Sequence, residues 1–318
     1  MQCLRPIISN NLAEDFVRQV LGERNSERVN KAVVDIVSAE IQIEKVFKKQ
    51  TLVCDEYRLA PYKTDESRIE LRSQILDELY SKDRIENDDA ISLGVGGSRP
   101  TNGVGTERQA YLITGLPASG KSMISNPISK SQHAYILDSD YAKRKFPEYK
   151  ADFGATITHE ESSLVVNGPD DHMSQFDDED SLLARCVKEG YNIVMPRIGH
   201  NHKKVRNLAQ QLQSFKYSVH LILVRLSREK ATQRAYARYQ ESHRYVPLPL
   251  IFDGYANDPT IVYYDLKREN KDTKVFSSFS MVSTDVPKGN LPRLLDYEGD
   301  GPILDNVVDF SCKKSYNK

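Results

Sequence analysis

Apolar and polar positions follow two different periods along the chain. Within residues 10–48 and 65–79, apolar side chains recur every three to four positions, and Gly22 interrupts the first stretch. This spacing predicts helices. From about residue 106, short apolar runs alternate with helical patterns, which is typical of a parallel sheet with helices on both faces. The predicted strands are residues 109–114, 134–137, 191–195, 219–226 and 276–282, and the predicted helices begin at Lys121 and cover residues 180–188, 202–215 and 229–241.

A glycine-rich segment separates the two patterns. Residues 94–105 read GVGGSRPTNGVG, a composition typical of flexible linkers. The sequence therefore predicts a helical N-terminal region over residues 1–93, a linker over 94–105 and an α/β domain over 106–318. Two interpretations of residues 1–93 stay open: an independent regulatory or docking module, and a helical extension packed on the α/β domain.

Composition is that of a soluble globular protein. Apolar residues make up 39% and charged residues 28% of the 318 positions, and 44 basic residues nearly balance 45 acidic ones. Without an excess of positive charge, binding to nucleic acid or to an anionic membrane is not expected. No apolar run approaches the roughly twenty residues of a membrane span, and the first residues lack a signal-peptide pattern. We therefore expect a cytoplasmic site of action, in the producing cell or in a cell into which the protein is delivered.

A phosphate-binding loop follows the first predicted strand. The run GLPASGKS, residues 115–122, fits the pattern G-x-x-x-x-G-K-[ST]. In such a loop, backbone N–H groups and the positive end of the next helix surround a phosphate. Lys121 is expected to reach the β- and γ-phosphates of a nucleoside triphosphate, and Ser122 to hold Mg²⁺. The predicted nucleotide-binding residues are Gly115, Ala118, Ser119, Gly120, Lys121 and Ser122.

Two carboxylates follow the second predicted strand. If that strand continues to Ser139, Asp138 and Asp140 share one face of it, at the sheet edge where ligands bind in folds of this kind. One of them could take the proton from an acceptor hydroxyl or hold Mg²⁺ through water. The competing interpretation is an aspartate that caps the following helix.

Arginines gather on and after the helix that follows the fourth predicted strand. Arg234 and Arg238 are four residues apart and share a helix face, while Arg228 precedes them and Arg244 follows the helix. Guanidinium groups match phosphate oxygens and do not lose their charge, so these residues are candidates for stabilising a transferring phosphoryl group. For any single arginine, a solvated basic helix face is the alternative.

These motifs, in this order, resemble the zeta-toxin family of P-loop kinases. The resemblance covers most of residues 107–255, and it implies a phosphotransferase that uses ATP or GTP with Mg²⁺. The implied acceptor is the 3′-hydroxyl of the amino sugar in UDP-N-acetylglucosamine. The motifs that carry the resemblance are the phosphate loop, Leu137-Asp138-Ser139-Asp140 with Lys143, Pro147 and Tyr149, the helix end before Gly190-Tyr191-Asn192, and the pairs Arg238-Tyr239 and Arg244-Tyr245.

The resemblance also implies roles for individual residues. Asp140 would be the catalytic base and a ligand of Mg²⁺ together with Ser122, and Lys121, Arg238 and Arg244 would stabilise the transferring phosphate. The implied substrate-binding residues are Asp138, His159, Glu160, Asp180 and Arg197. Toxins of the family are held inactive by a small helical antitoxin, which implies an antitoxin or chaperone partner. Residues 1–93 are a candidate for the same inhibition within one chain.

Alternatives remain for the acceptor and for the reaction. Toxins of the family often show Glu-Gly-Thr after the third strand, where this chain has Met195-Pro196-Arg197. Related plant-pathogen effectors phosphorylate NAD at the 3′-hydroxyl of its adenosine ribose, so NAD is the second candidate acceptor. A polynucleotide kinase is disfavoured because the sequence lacks the cluster of basic and aromatic residues expected of a nucleic-acid-binding groove. An NTPase switch is disfavoured because the third predicted strand does not end in an acid.

Overall fold

The computed structural model describes residues 5–169, 181–242, 244–287, 289–301 and 307–309. The N-terminal region forms the helices α1 (Asn10–Gln19), α2 (Ser26–Phe47) and α3 (Asp65–Ser81). Their N-caps are polar: the side chains of Ser9, Asn25 and Thr64 each accept a hydrogen bond from the first helical turn, as capping residues do. The predicted helical character of this region is therefore confirmed.

The rest of the chain alternates strands with helices. The strands are β1 (Gln109–Thr114), β2 (Tyr135–Ile136), β3 (Ile193–Arg197), β4 (Ser218–Arg225), β5 (Ser278–Ser283) and β6 (Arg293–Gly299). The helices are α4 (Ser122–Ser131), α5 (Ser139–Lys145), α6 (Gly154–Ile157), α7 (His159–Asn167), α8 (Leu182–Glu189), α9 (His202–Ser214), α10 (Arg228–Ser242) and α11 (Asp258–Thr273). Short 3₁₀ turns span Asp88–Ala90 and Pro147–Lys150, and a π-helical turn spans Leu250–Tyr255.

The strands form one sheet in the order β2-β3-β1-β4-β5-β6. All neighbouring pairs are parallel except β5 and β6, which are antiparallel. The predicted P-loop type of α/β fold is confirmed, and the added strand β6 is a correction to the all-parallel prediction. Its sequence RLLDYEG is largely polar and mostly solvent-accessible, so it lacks the apolar run by which the other strands were recognised.

The position of β1 determines where ligands can bind. It lies between β3 and β4. The chain forms β2 and β3 on one side of β1 before it crosses to β4 on the other side. Consistent with this, α4 packs against β2 and β3, whereas α9 and α11 pack near β4. The loop after β1 therefore lies at the centre of the carboxyl edge, where the strand order reverses and a ligand crevice forms.

The N-terminal helices share two apolar cores with the α/β part of the chain. Leu71, Ile75 and Leu79 of α3 are fully buried in the same cluster as the central strands. The helices α1 and α2 contribute to a second cluster, which also contains Leu116 of the phosphate loop and Leu248. The described part of this region, residues 5–93, is thus packed on the α/β part of the chain, while the division of the chain into domains stays a prediction.

The glycine-rich segment is hydrogen-bonded along much of its length. The buried ammonium of Lys145, on α5, donates to the carbonyls of Ser92, Val95 and Gly96 and to Glu78, at 2.6–3.1 Å. A Cβ atom at position 97 would collide with the backbone carbonyls of Glu78 and Lys82. Gly97 therefore allows close packing of the segment on the end of α3, and the domain boundary placed in this segment stays a prediction.

A buried histidine makes the stability of the fold sensitive to acid. Within β4, the imidazole of His220 lies 2.8 Å from both Ser278 Oγ and Gln109 Oε1 and stacks on Tyr111. Burial lowers the pKa of His220 to about 4. Because the unfolded chain takes up a proton below about pH 6.5 and the folded chain does not, stability is expected to fall as the pH drops from about 6.5 to 4.

The measurement is the free energy of unfolding in urea at several pH values between 7 and 4. The wild-type chain is expected to lose up to about 3 kcal/mol more over this range than His220→Gln, whose amide offers similar hydrogen-bonding groups without titrating. Equal slopes for the two proteins would contradict this account of His220.

Candidate active site

The phosphate loop curls around its own lysine. The ammonium of Lys121 donates to the carbonyls of Gly115 at 2.9 Å and Leu116 at 2.8 Å. Gly120 adopts a φ of +86°, a conformation that residues with a side chain rarely take. The helix α4 begins at Ser122, directly after Lys121. The structure thus places a tight turn between β1 and a helix N-terminus, as the motif predicts.

Several features of this loop fit a phosphate group. The hydroxyl of Ser119 is buried and has no hydrogen-bond partner in the described part of the chain. A Cβ atom at Gly115 would crowd Val224 and Ser119. Burial lowers the pKa of Lys121 to about 8, although Asp138 and Asp140 act to raise it. A bound anion would raise the pKa of Lys121 again by favouring its charged form, so these residues fit a nucleoside triphosphate.

Asp138 and Asp140 have different surroundings. β2 ends at Ile136 and α5 begins at Ser139, so the strand does not continue to Ser139, which was the condition for Asp138 and Asp140 to share one face of it. Asp138 caps α5, because its Oδ1 accepts the Asp140 N–H at 2.9 Å. The capping interpretation therefore holds for Asp138, whose pKa is raised to about 6 by burial and by the charge of Asp140.

Asp140 lies in the first turn of α5 and contacts two cations. Its carboxylate accepts from Lys143 Nζ at 2.9 Å and from Arg244 Nη2 at 3.3 Å. Burial acts to raise the pKa of Asp140, but Lys143 and Arg244 outweigh it and hold this pKa well below its usual value. Since Asp140 also acts electrostatically on Lys121, the structure brings the carboxylate and the phosphate loop to the same end of the sheet.

The predicted arginines occupy three positions around the cleft. Arg244 lies over the Tyr149 ring, and its buried Nη1 has no hydrogen-bond partner in the described ranges. Arg238, half exposed, has its Nη2 4.0 Å from Asp89. Arg234 instead donates to the carbonyl of Thr284 at 2.8 Å. Of the candidate arginines, Arg244 is thus the one that contacts Asp140, and its buried Nη1 still has an N–H group that could donate to an anion.

Sequence reasoning missed two contributors to this cleft. Thr284 follows β5, and its hydroxyl donates to the Ser119 carbonyl at 2.5 Å; its place just after a strand was the available signal. Asp89 comes from the N-terminal region and accepts from Arg144 at 2.5 Å. No signal near Asp89 in the sequence indicates this contact, because it arises only from the packing of residues 88–90 beside α5.

The predicted acceptor-side residues are spread along α7 and β3. Arg197, at the end of β3, donates to Asn167 Oδ1 at 2.7 Å, and Asn167 also donates to Ser139, next to Asp140. His159 and Glu160 lie at the exposed other end of α7, about 12 Å from Asn167 by helical rise. Glu160 N–H donates to Gln50 there. Asp180 lies outside the described residues. The roles of these residues in substrate binding stay predictions.

The motifs and the site geometry agree with a comparison to known families. The zeta toxin family profile matches residues 101–260, half of the chain. The chain belongs to the zeta toxin family. It is therefore a P-loop kinase, a phosphotransferase with an alcohol group as acceptor, as the sequence predicts. The matched segment of this chain contains the phosphate loop, Asp138, Asp140 and Arg244.

Solved structures resemble the fold at low sequence identity. The PezAT chromosomal toxin–antitoxin system of Streptococcus pneumoniae matches with a TM-score of 0.50 and 15% identity, over 77% of this chain and 87% of that chain. The complex AvrRxo1-ORF1:AvrRxo1-ORF2 with sulphate ions matches with a TM-score of 0.44 and 14% identity, over 81% and 82%. The same complex with ATP matches with a TM-score of 0.40 and 12% identity, over 89% and 70%.

Two further searches gave negative results. No curated protein sequence matches the chain. Among the helices of the described ranges, none is long and apolar enough to cross a membrane.

Proposed function

We propose that this zeta toxin family member transfers the γ-phosphoryl group of ATP or GTP, with Mg²⁺, to the 3′-hydroxyl of a nucleotide-linked sugar. UDP-N-acetylglucosamine is the first candidate acceptor and NAD the second. The observation that carries the proposal is Asp140, which is ionised, is contacted by Arg244 and lies at the same end of the sheet as Lys121. This set contains a proton acceptor and the cations that phosphoryl transfer requires.

Each of these residues has a distinct task in the proposed reaction. The backbone N–H groups after Gly115 and the ammonium of Lys121 bind the phosphates, once Lys121 leaves the two carbonyls that it now contacts. Arg244 stabilises the equatorial oxygens of the transferring group through its unpaired Nη1. The hydroxyl of Ser122 and the carboxylate of Asp140 would hold Mg²⁺, which neutralises phosphate charge when bound.

The ion pair between Arg244 and Asp140 would keep Asp140 a weak base until the phosphate is bound. While Arg244 contacts Asp140, the carboxylate is a weak base, because two cations hold its pKa down. When Arg244 turns to the phosphate, one of these cations leaves and the basicity of Asp140 rises. Asp140 would then accept the hydroxyl proton as the acceptor oxygen attacks phosphorus.

The acceptor side favours a ligand that carries phosphate. Arg197 ends β3 beside β1, and its hydrogen bond to Asn167 fixes the guanidinium near Ser139. Both candidate acceptors carry a free ribose or sugar hydroxyl and a pyrophosphate, which an arginine binds in a fork. The site therefore fits both UDP-N-acetylglucosamine and NAD as acceptors, and the experiment below distinguishes them.

We also propose a cytoplasmic site of action and an antitoxin or chaperone as a protein partner. Membership of the zeta toxin family supports the proposal of an antitoxin partner, and one of the matched solved structures belongs to a toxin–antitoxin system. Co-expression with the product of a neighbouring gene, followed by co-purification, tests this part of the proposal.

The reaction is tested by incubating the protein with ATP and Mg²⁺ and either UDP-N-acetylglucosamine or NAD. Mass spectrometry is expected to find one acceptor heavier by one phosphoryl group, and NMR of the product would place it on the 3′-oxygen. Parallel reactions with GTP and with EDTA test the donor and the metal. If neither acceptor gains mass while ATP is consumed, the nucleotide-linked sugar is wrong and a polynucleotide acceptor or simple hydrolysis becomes the better reading.

A further inference from the structure

A buried carboxylate of the N-terminal region contacts the chain segment that follows Arg244. Glu40, on α2, is 1% exposed and sits among the apolar residues of the second cluster. Its Oε1 accepts the hydroxyl hydrogen of Tyr245 at 2.6 Å. The backbone N–H groups of Ile7 and Leu248 also stabilise its charge. Because burying a carboxylate costs several kcal/mol without such partners, these contacts define a specific polar anchor.

The anchor holds the chain segment that carries Arg244. Tyr245 follows Arg244 directly, and Leu248 lies three residues further on, so Glu40 contacts the segment at two points. The Tyr245 ring is 6% exposed and packs edge-to-face on Tyr239 of α10, the helix that carries Arg238. With Tyr245 fixed, the Cα of Arg244 is held one peptide unit away, about 3.8 Å, which restricts the region that the Arg244 guanidinium can reach.

We propose that Glu40 is a positioning residue for phosphoryl transfer, which fixes Tyr245 and thereby keeps the guanidinium of Arg244 beside Asp140, from where it turns to the transferring phosphate. The kinetic part of this inference rests on the proposed function. Displacement of a catalytic group by about 1 Å can cost about 100-fold in rate. Precise placement of Arg244 therefore gives a reason for the Glu40 carboxylate to be buried here, despite the free energy that its burial costs. The N-terminal region then acts as part of the catalytic unit, in contrast to the inhibitory role that its helices suggested.

The first test removes the anchor without removing the ring. Tyr245→Phe is expected to lower kcat about tenfold while the KM for the nucleotide changes less than about twofold, because the phosphate loop is untouched. Glu40→Ala is expected to have the same effect. Glu40→Gln, which keeps an oxygen that can accept from Tyr245, should restore kcat to within about threefold of the wild-type value.

Tyr236→Phe is the matched control, since it deletes a hydroxyl on α10, in the same cluster, that does not bond Glu40. Its kcat is expected to equal that of the wild-type protein. Unchanged kcat in Tyr245→Phe would overturn the inference. Equal losses in Tyr245→Phe and Tyr236→Phe, or a parallel loss of nucleotide affinity, would also overturn it, because they indicate a general packing defect.

The second test does not depend on activity. Crystal structures of the wild-type protein and of Tyr245→Phe give the distance between Arg244 Nη2 and Asp140 Oδ2, which is 3.3 Å here. We expect this distance to exceed ion-pair range in the variant, and an unchanged contact would overturn the inference. If the wild-type protein phosphorylates no acceptor at all, the proposed function fails, and this distance still decides the role of Glu40.

Discussion

Replacement of Asp140 by asparagine is expected to lower kcat by about 10²–10⁴, the range that a general base contributes, with little change in nucleotide affinity. The amide keeps the size of the side chain and an oxygen that can still accept from Lys143, so α5 should fold normally. It cannot take the proton of the acceptor hydroxyl. The measurements are kcat with the acceptor found by mass spectrometry and the nucleotide Kd by calorimetry.

Two companion variants identify what is lost. Lys121→Ala should abolish nucleotide binding itself, because it removes the only ammonium of the phosphate loop sequence, GLPASGKS. Asp138→Asn keeps a capping oxygen, which asparagine supplies as well as aspartate, and should lose much less turnover than Asp140→Asn. The reverse ranking of Asp138→Asn and Asp140→Asn would show that Asp138 is the base.

Replacement of Arg68 by methionine is expected to destabilise the fold by about 3–5 kcal/mol, because it leaves a buried carboxylate without a charged partner. The Arg68 side chain is fully buried and donates to Glu148 at 2.8 Å and to Glu161 at 2.6 Å, both of which are fully buried as well. Arg72 still contacts Glu161 in the variant, so Glu148 is the group left without a charged partner.

Urea denaturation provides the measurement for Arg68→Met. Arg185→Met is the control, since the Arg185 and Asp77 side chains are 27% and 63% exposed and such pairs contribute about 1 kcal/mol or less. Adding Glu148→Gln and Glu161→Gln to Arg68→Met should recover part of the loss, because no charge is then left buried and unpaired. A loss below about 1 kcal/mol in Arg68→Met would contradict the account.

Arg68 also connects the N-terminal region to the active site. It joins α3 to the turn at Glu148 and to α7 at Glu161. The far end of α7 carries Asn167, which holds Arg197 and contacts Ser139. A partly folded Arg68 variant should therefore lose the placement of Arg197, and with it activity, before it loses nucleotide binding. Nucleotide binding depends instead on the phosphate loop after β1.

Local sequence was sufficient to predict the phosphate loop and most of the sheet. GLPASGKS after an apolar run specifies a strand, a glycine turn and a helix start within fourteen consecutive positions, residues 109–122, because each of these states depends on near neighbours. The strand β1 was predicted with its observed bounds. The strand β6 was missed because its polar residues match no apolar pattern.

The contacts between distant segments could not be predicted in this way. The pattern of residues 94–105 indicated a flexible linker, but the ammonium of Lys145, some fifty positions away, donates to the carbonyls of Val95 and Gly96 within it. Glu40 and Tyr245 are separated by 205 positions, and an isolated glutamate on an amphipathic helix looks like an exposed residue in sequence.

The sequence by itself determined the family, the phosphate-loop motif and the presence of two aspartates after the second strand, since these depend on short motifs and on the rule that parallel strands end at one edge. Only the tertiary structure decided that Asp138 caps a helix while Asp140 contacts Arg244, and that the N-terminal helices pack against the segment after Arg244. The physical reason is that buried charges find their partners through space, and the free energy of burial selects those partners without regard to their separation along the chain.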